Sequence, residues 1–319
     1  MDSIWEVQQK NKIDWLWRSI KMWIKKGLIF NKHRAQLPIV DEYEDFYRIY
    51  YSTRFEGKSK PLSIDVDINN PKKIIRENET PILELGNPGS FDWAGIMPTD
   101  IIDVDGVKYM YYIGWSLRID IPYHNNLGLA LSLDNGHTWQ KYSNGPIFST
   151  NSIETGYIGT VEILREDGIW KMWYLSCRDW IEIDGIMEPT YDIRYAWSYD
   201  GKEWKPTNIV CIGLDGNEGG ISSCRVIKDD VGYTMWYSIR DKFDYRRNKN
   251  HSYRIKKATS KDGINWDKNN NVELDIDENV DWENIMVCYP FVLKRKNELI
   301  MFYNGNDFGN SGVGYAIKK

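Results

Sequence analysis

Carboxylate side chains recur at one position relative to a repeated tyrosine. Asp92, Glu154 and Glu283 each lie 20 residues before a tyrosine that ends an aromatic run, and Glu218 lies 19 residues before its own. Acids are only 46 of 319 residues, so four acids at one offset are not expected by chance. Paired carboxylates supply the acid and the base or nucleophile of glycosyl chemistry. We therefore predict catalytic roles for Asp92, Glu154 and Glu218, and a substrate-binding role for Glu283.

Arginines follow the same tyrosines at short distances. Arg54 and Arg240 lie 3 residues past a tyrosine, Arg178 lies 4 past and Arg118 lies 6 past. A guanidinium binds phosphate or carboxylate with two hydrogen bonds, so these four arginines favour a ligand with an anionic group. Aromatic rings can also stack on the apolar faces of a sugar. The predicted substrate-binding set is completed by His33, Trp115, Tyr289, Asn304 and Asn306.

The same charges have a structural alternative, in which acids and arginines form salt bridges between neighbouring repeats around a tunnel. Asp100, Glu162 and Arg225 share a second offset, 12 residues before the tyrosine. We expect them to line a central channel in a mainly structural role. An acid-lined channel could also hold calcium or another hard ion. Because several arginines share that face, we expect neither a metal nor a cofactor.

The tyrosines that define these offsets belong to an internal repeat. Five strand-like runs end at Tyr51, Tyr112, Tyr174, Tyr237 and Tyr303, with spacings of 61, 62, 63 and 66 residues. Three runs are followed by a Ser-x-Asp turn with Asn-Gly or Asp-Gly, which favours a tight hairpin. A tryptophan beyond each turn is expected to pack against the neighbouring repeat: Trp139, Trp204 and Trp266. Four antiparallel strands per repeat are typical of a propeller blade.

The repeat predicts an all-β protein with one five-bladed β-propeller of four-stranded antiparallel blades. The last repeat reaches Lys319 without its fourth strand, and residues 23–30 resemble the fourth strands of the other repeats. We expect this N-terminal strand to pair with the C-terminal blade and close the ring, which would cover an open sheet edge. Residues 1–20 carry tryptophans at roughly helical spacing and predict a short helical extension. Residues 21–319 then form the propeller domain.

Composition narrows the classes of function. The net charge is −5, which disfavours a basic nucleic-acid-binding surface. No run approaches 18 uninterrupted apolar residues, so no membrane span is expected, and residues 1–10 lack the apolar segment of a secretory signal. We therefore predict a cytoplasmic protein, with the oligomeric state left open. Without CxxC spacing, the four cysteines are expected as reduced, mostly buried thiols: Cys177, Cys211, Cys224 and Cys288.

Several segments resemble a known superfamily: residues 46–54, 91–98, 114–118 and 258–266, and most specifically 282–290 with 303–309. On these segments residues 20–319 resemble the five-bladed propeller enzymes, which include arabinanases, invertases, levansucrases and related mannoside phosphorylases. The likeness is closer to a family-43-like branch of uncharacterised proteins from bacterial surface-polysaccharide gene clusters. The resemblance implies a propeller fold and a sugar ligand at the mouth of the channel.

One departure from the superfamily bears on the reaction. Its hydrolases carry an Asp on the innermost strand of the first blade, whereas the matching stretch here, residues 33–38, has Gln36 and no acid. We predict a glycosidase-like, carbohydrate-active enzyme of surface-polysaccharide metabolism, whose ligand is an anionic, phosphate-bearing or nucleotide-bearing sugar. A glycosyl- or sugar-phosphate transferase is the first alternative. A non-catalytic glycan-binding propeller is the alternative from another class.

Overall fold

The computed structural model describes residues 22–319, which are built almost wholly from antiparallel β-strands. The predicted helix within residues 1–20 lies outside the described residues. The first strand is β1 (Ile24–Phe30). The following unit is β2 (Gln36–Glu42), β3 (Phe46–Ser52), β4 (Pro61–Asp67) and β5 (Ile74–Asn78). The next unit is β6 (Gly95–Val104), β7 (Val107–Leu117), β8 (Tyr123–Ser132) and β9 (Gln140–Lys141).

The middle of the chain forms two further units of four strands. The first is β10 (Ile158–Glu166), β11 (Ile169–Ile183), β12 (Ile186–Ser198) and β13 (Lys205–Ile212). The second is β14 (Glu218–Lys228), β15 (Tyr233–Asp241), β16 (Arg254–Ser260) and β17 (Trp266–Leu274). A single parallel bridge, Tyr191 to Gly220, joins the two units into one eight-stranded sheet. The all-β class and the repeated four-stranded antiparallel pattern are confirmed.

The last sheet combines the two ends of the described chain. Its C-terminal strands are β18 (Cys288–Arg295), β19 (Glu298–Asn304) and β20 (Val313–Lys318), with a short helical turn at Asn306–Gly309. Strand β1 pairs antiparallel with β20, from Ile24 opposite Ile317 to Phe30 opposite Val313. The predicted pairing of the N-terminal strand with the C-terminal repeat is therefore confirmed. It covers the backbone groups that β20 would otherwise leave unpaired.

Aromatic side chains fill the spaces between neighbouring units. The ring of Trp139 packs edge-on against Tyr50 of the preceding unit at 5.9 Å between centroids. Trp266 packs in the same way against Trp173 at 6.1 Å. Trp204 meets Tyr111 at 6.1 Å, so all three hairpin tryptophans pack as the repeat predicts. Such pairs add to the burial of apolar surface because ring edges meet ring faces.

The first strand of each unit faces the centre of the propeller. Strands β2, β6, β10, β14 and β18 contact one another in that order, and β18 also contacts β2. This arrangement places the starts of five strands around one opening, which is the part of the fold that positions the site. The four cysteines are free and buried, as predicted. No helix in the described part of the chain is long and apolar enough to span a membrane.

Candidate functional site

The repeated carboxylates are anchored inside their own units. The hydroxyl of Tyr303 donates to Glu283 at 2.8 Å, and the hydroxyl of Tyr174 donates to Glu154 at 2.7 Å. The corresponding contact from Tyr112 to Asp92 is 3.4 Å. Burial, and then the neighbouring carboxylate, raise the pKa of Tyr303. The phenol therefore stays protonated and acts as a hydrogen-bond donor.

A cation completes the binding of each of these acids. Lys141 lies 2.6 Å from Asp92, Arg194 lies 3.3 Å from Glu154, and Lys25 lies 3.0 Å from Glu283. Glu218 is paired with Lys268. The expectation that these acids converge at the mouth is therefore wrong. The physical reason is that each carboxylate fixes the segment entering its unit onto the aromatic strand of that unit, a task that every repeat shares.

A different set of residues surrounds a cavity of about 280 Å³ where the five inner strands begin. We call it the mouth cavity. Each inner strand contributes to its wall: Gln36 from β2, Met97 from β6, Gly159 and Thr160 from β10, Ser222 from β14 and Tyr289 from β18. Asp92, Glu154, Glu218 and Glu283 do not line it. A cavity of this volume lies near the lower end of the range for small-molecule sites.

The mouth cavity carries more positive than negative side chains. Arg34, Arg54 and Arg246 line it, whereas Asp307 is the only acid among its described lining residues. Arg34 is 3.3 Å from Asp307, and Arg246 is bound at 2.7 Å by Glu188 outside the lining. The guanidinium of Arg54 has no carboxylate within 4 Å among the described residues. Burial and repulsion from Arg34 lower the pKa of Arg54, as expected for an uncompensated charge.

Trp115 holds the unpaired Arg54 in the cavity wall. The guanidinium carbon lies 4.8 Å from the centre of the indole ring, which is a cation–π distance. The ring itself packs against Gly95, where a Cβ atom would lie 1.8 Å from the indole nitrogen. Glycine is therefore required at position 95 for Trp115 to occupy this place.

Two buried polar atoms of the cavity lining have no hydrogen-bond partner among the described residues. They are the indole nitrogen of Trp115 and the hydroxyl of Ser222. A buried polar group without a partner costs about 1–3 kcal/mol. Both residues line the mouth cavity, so a ligand with hydroxyl or phosphate oxygens can satisfy these groups. Aromatic side chains form most of the remaining wall: Tyr123, Tyr157, Tyr191, Tyr245, Tyr253, Tyr289 and Phe308.

The predicted binding residues divide between the cavity and its surroundings. Arg54, Trp115 and Tyr289 line the cavity. Arg240 does not, because it lies beneath the wall, 2% exposed, and donates to the carbonyl of Pro189 at 2.6 Å.

The other predicted binding residues also lie outside the lining. His33, Arg118 and Arg178 are exposed, and Arg178 is 3.7 Å from Asp192. Asn304 is buried and binds the backbone on both sides, donating to Ala35 at 2.7 Å.

Asn306 also has a structural position. Its amide oxygen accepts the backbone N–H of Ile285 at 2.9 Å and that of Met286 at 3.1 Å. This asparagine therefore fixes the loop before β18. A ligand-binding role for Asn304 or Asn306 is not supported, because their polar atoms are used by the backbone.

Asp100, Glu162 and Arg225 come together on three neighbouring inner strands. One guanidinium nitrogen of Arg225 lies 2.9 Å from Asp100 and 2.8 Å from Glu162. Burial raises the pKa of Glu162 to about 8. These contacts agree with the structural role expected for the three residues, since they bind β6, β10 and β14 to one another.

The class of protein that this fold defines is the β-propeller class of glycoside hydrolases. The chain is similar to the structure of a BT0996–RGII complex, with a TM-score of 0.72 and 18% identity over 97% of this chain and 95% of that protein. It is also similar to a thermostable family-43 glycoside hydrolase, with a TM-score of 0.64 and 18% identity over 89% and 88% of the two chains. These likenesses show the fold, and they confirm the predicted superfamily at that level.

A further structure in this class comes from the GH130 family of mannoside phosphorylases. Its TM-score is 0.67 at 14% identity, covering 93% of each chain.

Two curated relatives define the family more narrowly. The uncharacterised proteins MT1551 and Rv1502 of Mycobacterium tuberculosis are each 31% identical to this chain over 312 residues, covering 92% of it and 98% of each relative. The chain belongs to the same family as these two mycobacterial proteins. No family model matches the sequence.

Proposed function

We propose that the mouth cavity binds a small phosphate-bearing sugar and that the chain transfers the sugar to an acceptor hydroxyl. The observation that carries this proposal is Arg54, a guanidinium in the cavity wall without a carboxylate partner among the described residues. Guanidinium groups recognise phosphate with paired, charge-assisted hydrogen bonds. Arg34 and Arg246 lie on the same cavity and add to its positive potential.

The set of acids around the cavity supports transfer rather than hydrolysis by a carboxylate pair. Glycoside hydrolysis normally requires two carboxyl groups flanking the bond that breaks. Asp307 is the only acid among the described lining residues, and it is largely exposed. A phosphate ester is a better leaving group than an alcohol because its second pKa is only about 6. Departure of phosphate therefore needs positive charge more than it needs a general acid.

The aromatic wall supports the same proposal. Rings from β12, β18 and neighbouring loops surround the inner part of the cavity, and Tyr253 is 1% exposed. Exclusion of water favours an acceptor hydroxyl over hydrolysis. A cytoplasmic location and a role in surface-polysaccharide metabolism belong to this proposal, with a sugar phosphate or nucleotide sugar as donor. Non-catalytic sugar binding is the competing function, favoured by the missing carboxylate pair among the described lining residues.

The number of blades is part of the proposal. The ordered contacts of β2, β6, β10, β14 and β18, with β18 against β2, support one ring of five blades. The pairing of β1 with β20 would close that ring.

Titration calorimetry tests the ligand class. Inorganic phosphate, pyrophosphate and a panel of hexose 1-phosphates are compared with maltotriose as a neutral sugar. We expect binding of at least one hexose 1-phosphate, competition by pyrophosphate, and at least a tenfold loss in Arg54→Gln. The matched control is Arg165→Gln, because Arg165 also stacks on a tryptophan, at 5.8 Å from Trp170, but lies outside the cavity lining.

Binding of maltotriose without binding of any phosphate compound would contradict the proposal. Release of phosphate or nucleotide from a bound donor in the presence of an acceptor sugar distinguishes transfer from simple binding. Stable binding of donor and acceptor together without turnover would favour the non-catalytic function.

A further inference from the structure

Arg240 is a buried guanidinium without a carboxylate partner in the described part of the chain. It is 2% exposed, and no carboxylate of the described residues lies within 4 Å of it. Its terminal nitrogens donate to the backbone carbonyls of Asp241 at 2.9 Å and Pro189 at 2.6 Å. Two neutral carbonyls do not cancel a positive charge, and an uncompensated buried charge is costly.

The acid on this side of the cavity is already used. Glu188 binds Arg246 through two hydrogen bonds of 2.7 and 2.8 Å, and it accepts the hydroxyl of Tyr245 at 2.6 Å. These contacts lower the pKa of Glu188 against the opposing effect of burial. Glu188 is thus ionised and paired, and its charge is compensated by Arg246 rather than by Arg240.

The remaining hydrogen bond of Arg240 points to Tyr191. Its Nε–H donates to the Tyr191 hydroxyl oxygen at 3.2 Å, and the guanidinium carbon lies 4.9 Å from the centre of the Tyr191 ring. The same hydroxyl forms a short hydrogen bond with the hydroxyl of Tyr253. Tyr191 lines the mouth cavity. Its oxygen therefore has two hydrogen-bonding neighbours and a position next to the ligand space.

We propose that Tyr191 is a catalytic base of the mouth cavity, held as a phenolate by Arg240 and Tyr253. The inference rests on the proposed function, since it names the group that activates the acceptor. Arg240 and Tyr253 act as positioning residues. A negative oxygen at this place compensates the buried guanidinium and accepts both hydrogen bonds, which are strongest when one partner is ionised.

The transfer step balances with these groups. The Tyr191 phenolate takes the proton from the acceptor sugar hydroxyl and becomes a phenol. The acceptor oxygen uses its electron pair to form the new bond to the sugar C1 atom. The bond between C1 and the donor phosphate oxygen breaks, and its electron pair leaves with the phosphate, which Arg54 and Arg34 bind. The phenol returns its proton to solvent after the product leaves.

The other titratable groups that face Tyr191 are held in a different state. Burial raises the pKa of four neighbouring phenols: Tyr123, Tyr157, Tyr253 and Tyr289. Burial also raises the pKa of the Cys177 thiol, and Tyr245 donates its proton to Glu188. The cations nearby are Arg240 and Arg246, and Glu188 is the paired acid. The early ionisation is thus assigned to Tyr191.

An absorbance titration near 295 nm, which detects tyrosinate, tests the assignment without a substrate. The chain has 21 tyrosines. We expect one tyrosine equivalent to ionise below pH 9 in the folded protein, and we expect Tyr191→Phe to remove it. Tyr289→Phe is the matched control, because Tyr289 lines the same cavity while burial raises the pKa of its own phenol; this variant should keep the early ionisation.

A second variant keeps the test decisive if Tyr191→Phe folds poorly. Tyr253→Phe removes one hydrogen bond to the phenolate, so the early ionisation should move upward by about 1 pH unit and persist, since a hydrogen bond to a charged group contributes about 1.5 kcal/mol or more. No tyrosine ionising below pH 9 in the folded wild-type protein, or an early step that survives Tyr191→Phe, would overturn the inference.

Binding of a hexose 1-phosphate separates this inference from the proposed function. If the ligand binds and no early tyrosinate is found, the base is not Tyr191 while the phosphate site stands. If tyrosinate is found and no phosphate compound binds, the reverse holds. With both present, Tyr191→Phe should bind the donor within about threefold of wild type and lose at least a hundredfold in transfer.

Discussion

The anchoring of the repeated acids predicts a graded response to the removal of single hydroxyl groups. Tyr303 and Tyr237 occupy the same position in two different repeats, and both are 0% exposed. The Tyr303 hydroxyl donates to Glu283 at 2.8 Å, whereas the Tyr237 hydroxyl has no hydrogen-bond partner among the described residues. The change of Tyr to Phe therefore removes a bond at one site and only an unpaired hydroxyl at the other.

The magnitude follows from the partner at each site. A hydrogen bond to a charged group contributes about 1.5–3 kcal/mol, so Tyr303→Phe should lower the free energy of unfolding by that amount. Glu283 keeps its contact with Lys25 at 3.0 Å, which limits the loss. Tyr237→Phe should change the stability by less than about 0.5 kcal/mol, or raise it slightly, because it removes an unsatisfied buried group.

Thermal unfolding followed by circular dichroism measures both variants under one condition. At about 2 °C per kcal/mol for a chain of this size, Tyr303→Phe should lower the Tm by about 3–6 °C. The Tm of Tyr237→Phe should stay within about 1 °C of wild type. Equal losses in the two variants would refute the anchoring role assigned to the acids.

Three further results are expected. Because burial raises the pKa of Glu162 from 4.5 to about 8, the folded state holds a proton that the unfolded chain releases, so stability is lost as the pH rises between these two values; Glu162→Gln should flatten the fall in Tm between pH 5 and 8, and an unchanged slope would contradict this. Gly95→Ala should displace Trp115, whose indole nitrogen would lie 1.8 Å from the new Cβ, and weaken calorimetric binding of a hexose 1-phosphate at least tenfold, whereas Gly106→Ala, with no atom within 4 Å of its Cβ, should bind normally. Deletion of residues 1–30 removes β1 and exposes β20, so the Tm should fall and size-exclusion chromatography should show association through the open edge; an unchanged Tm would refute the role of β1.

Much of the fold could be predicted because every repeat solves the same packing problem. The spacing of Tyr112, Tyr174 and Tyr303 reflects a strand that each unit needs, and the hairpin tryptophans reflect the contact between units. Even the pairing of β1 followed from a missing fourth strand in the last repeat. Such features recur in the sequence because the same physical requirement recurs in the structure.

The same reasoning explains why the predicted acids were not the residues of the cavity. Asp92, Glu154 and Glu283 stand at one offset because each anchors its own unit through a tyrosine hydroxyl. A binding site at the centre of a ring needs different side chains from each inner strand, so its residues do not repeat. Tyr191 and Ser222 gave no periodic signal, and only the three-dimensional structure brings them together.

Part of the cavity did have a sequence signal. Arg54 follows its tyrosine closely, and Trp115 lies in a segment that resembles the propeller enzymes. Gln36, which stands where the hydrolases carry an acid, lines the cavity. The replacement of that acid by an amide already indicated a change in chemistry at this position.

A crystal structure of the protein soaked with the hexose 1-phosphate that binds most tightly tests the central claim most directly. The account predicts density for the phosphate within hydrogen-bonding distance of the Arg54 guanidinium, with the sugar against the aromatic wall near Tyr191. Density for the ligand outside the mouth cavity, with Arg54 still stacked on Trp115 and free of phosphate, would contradict it.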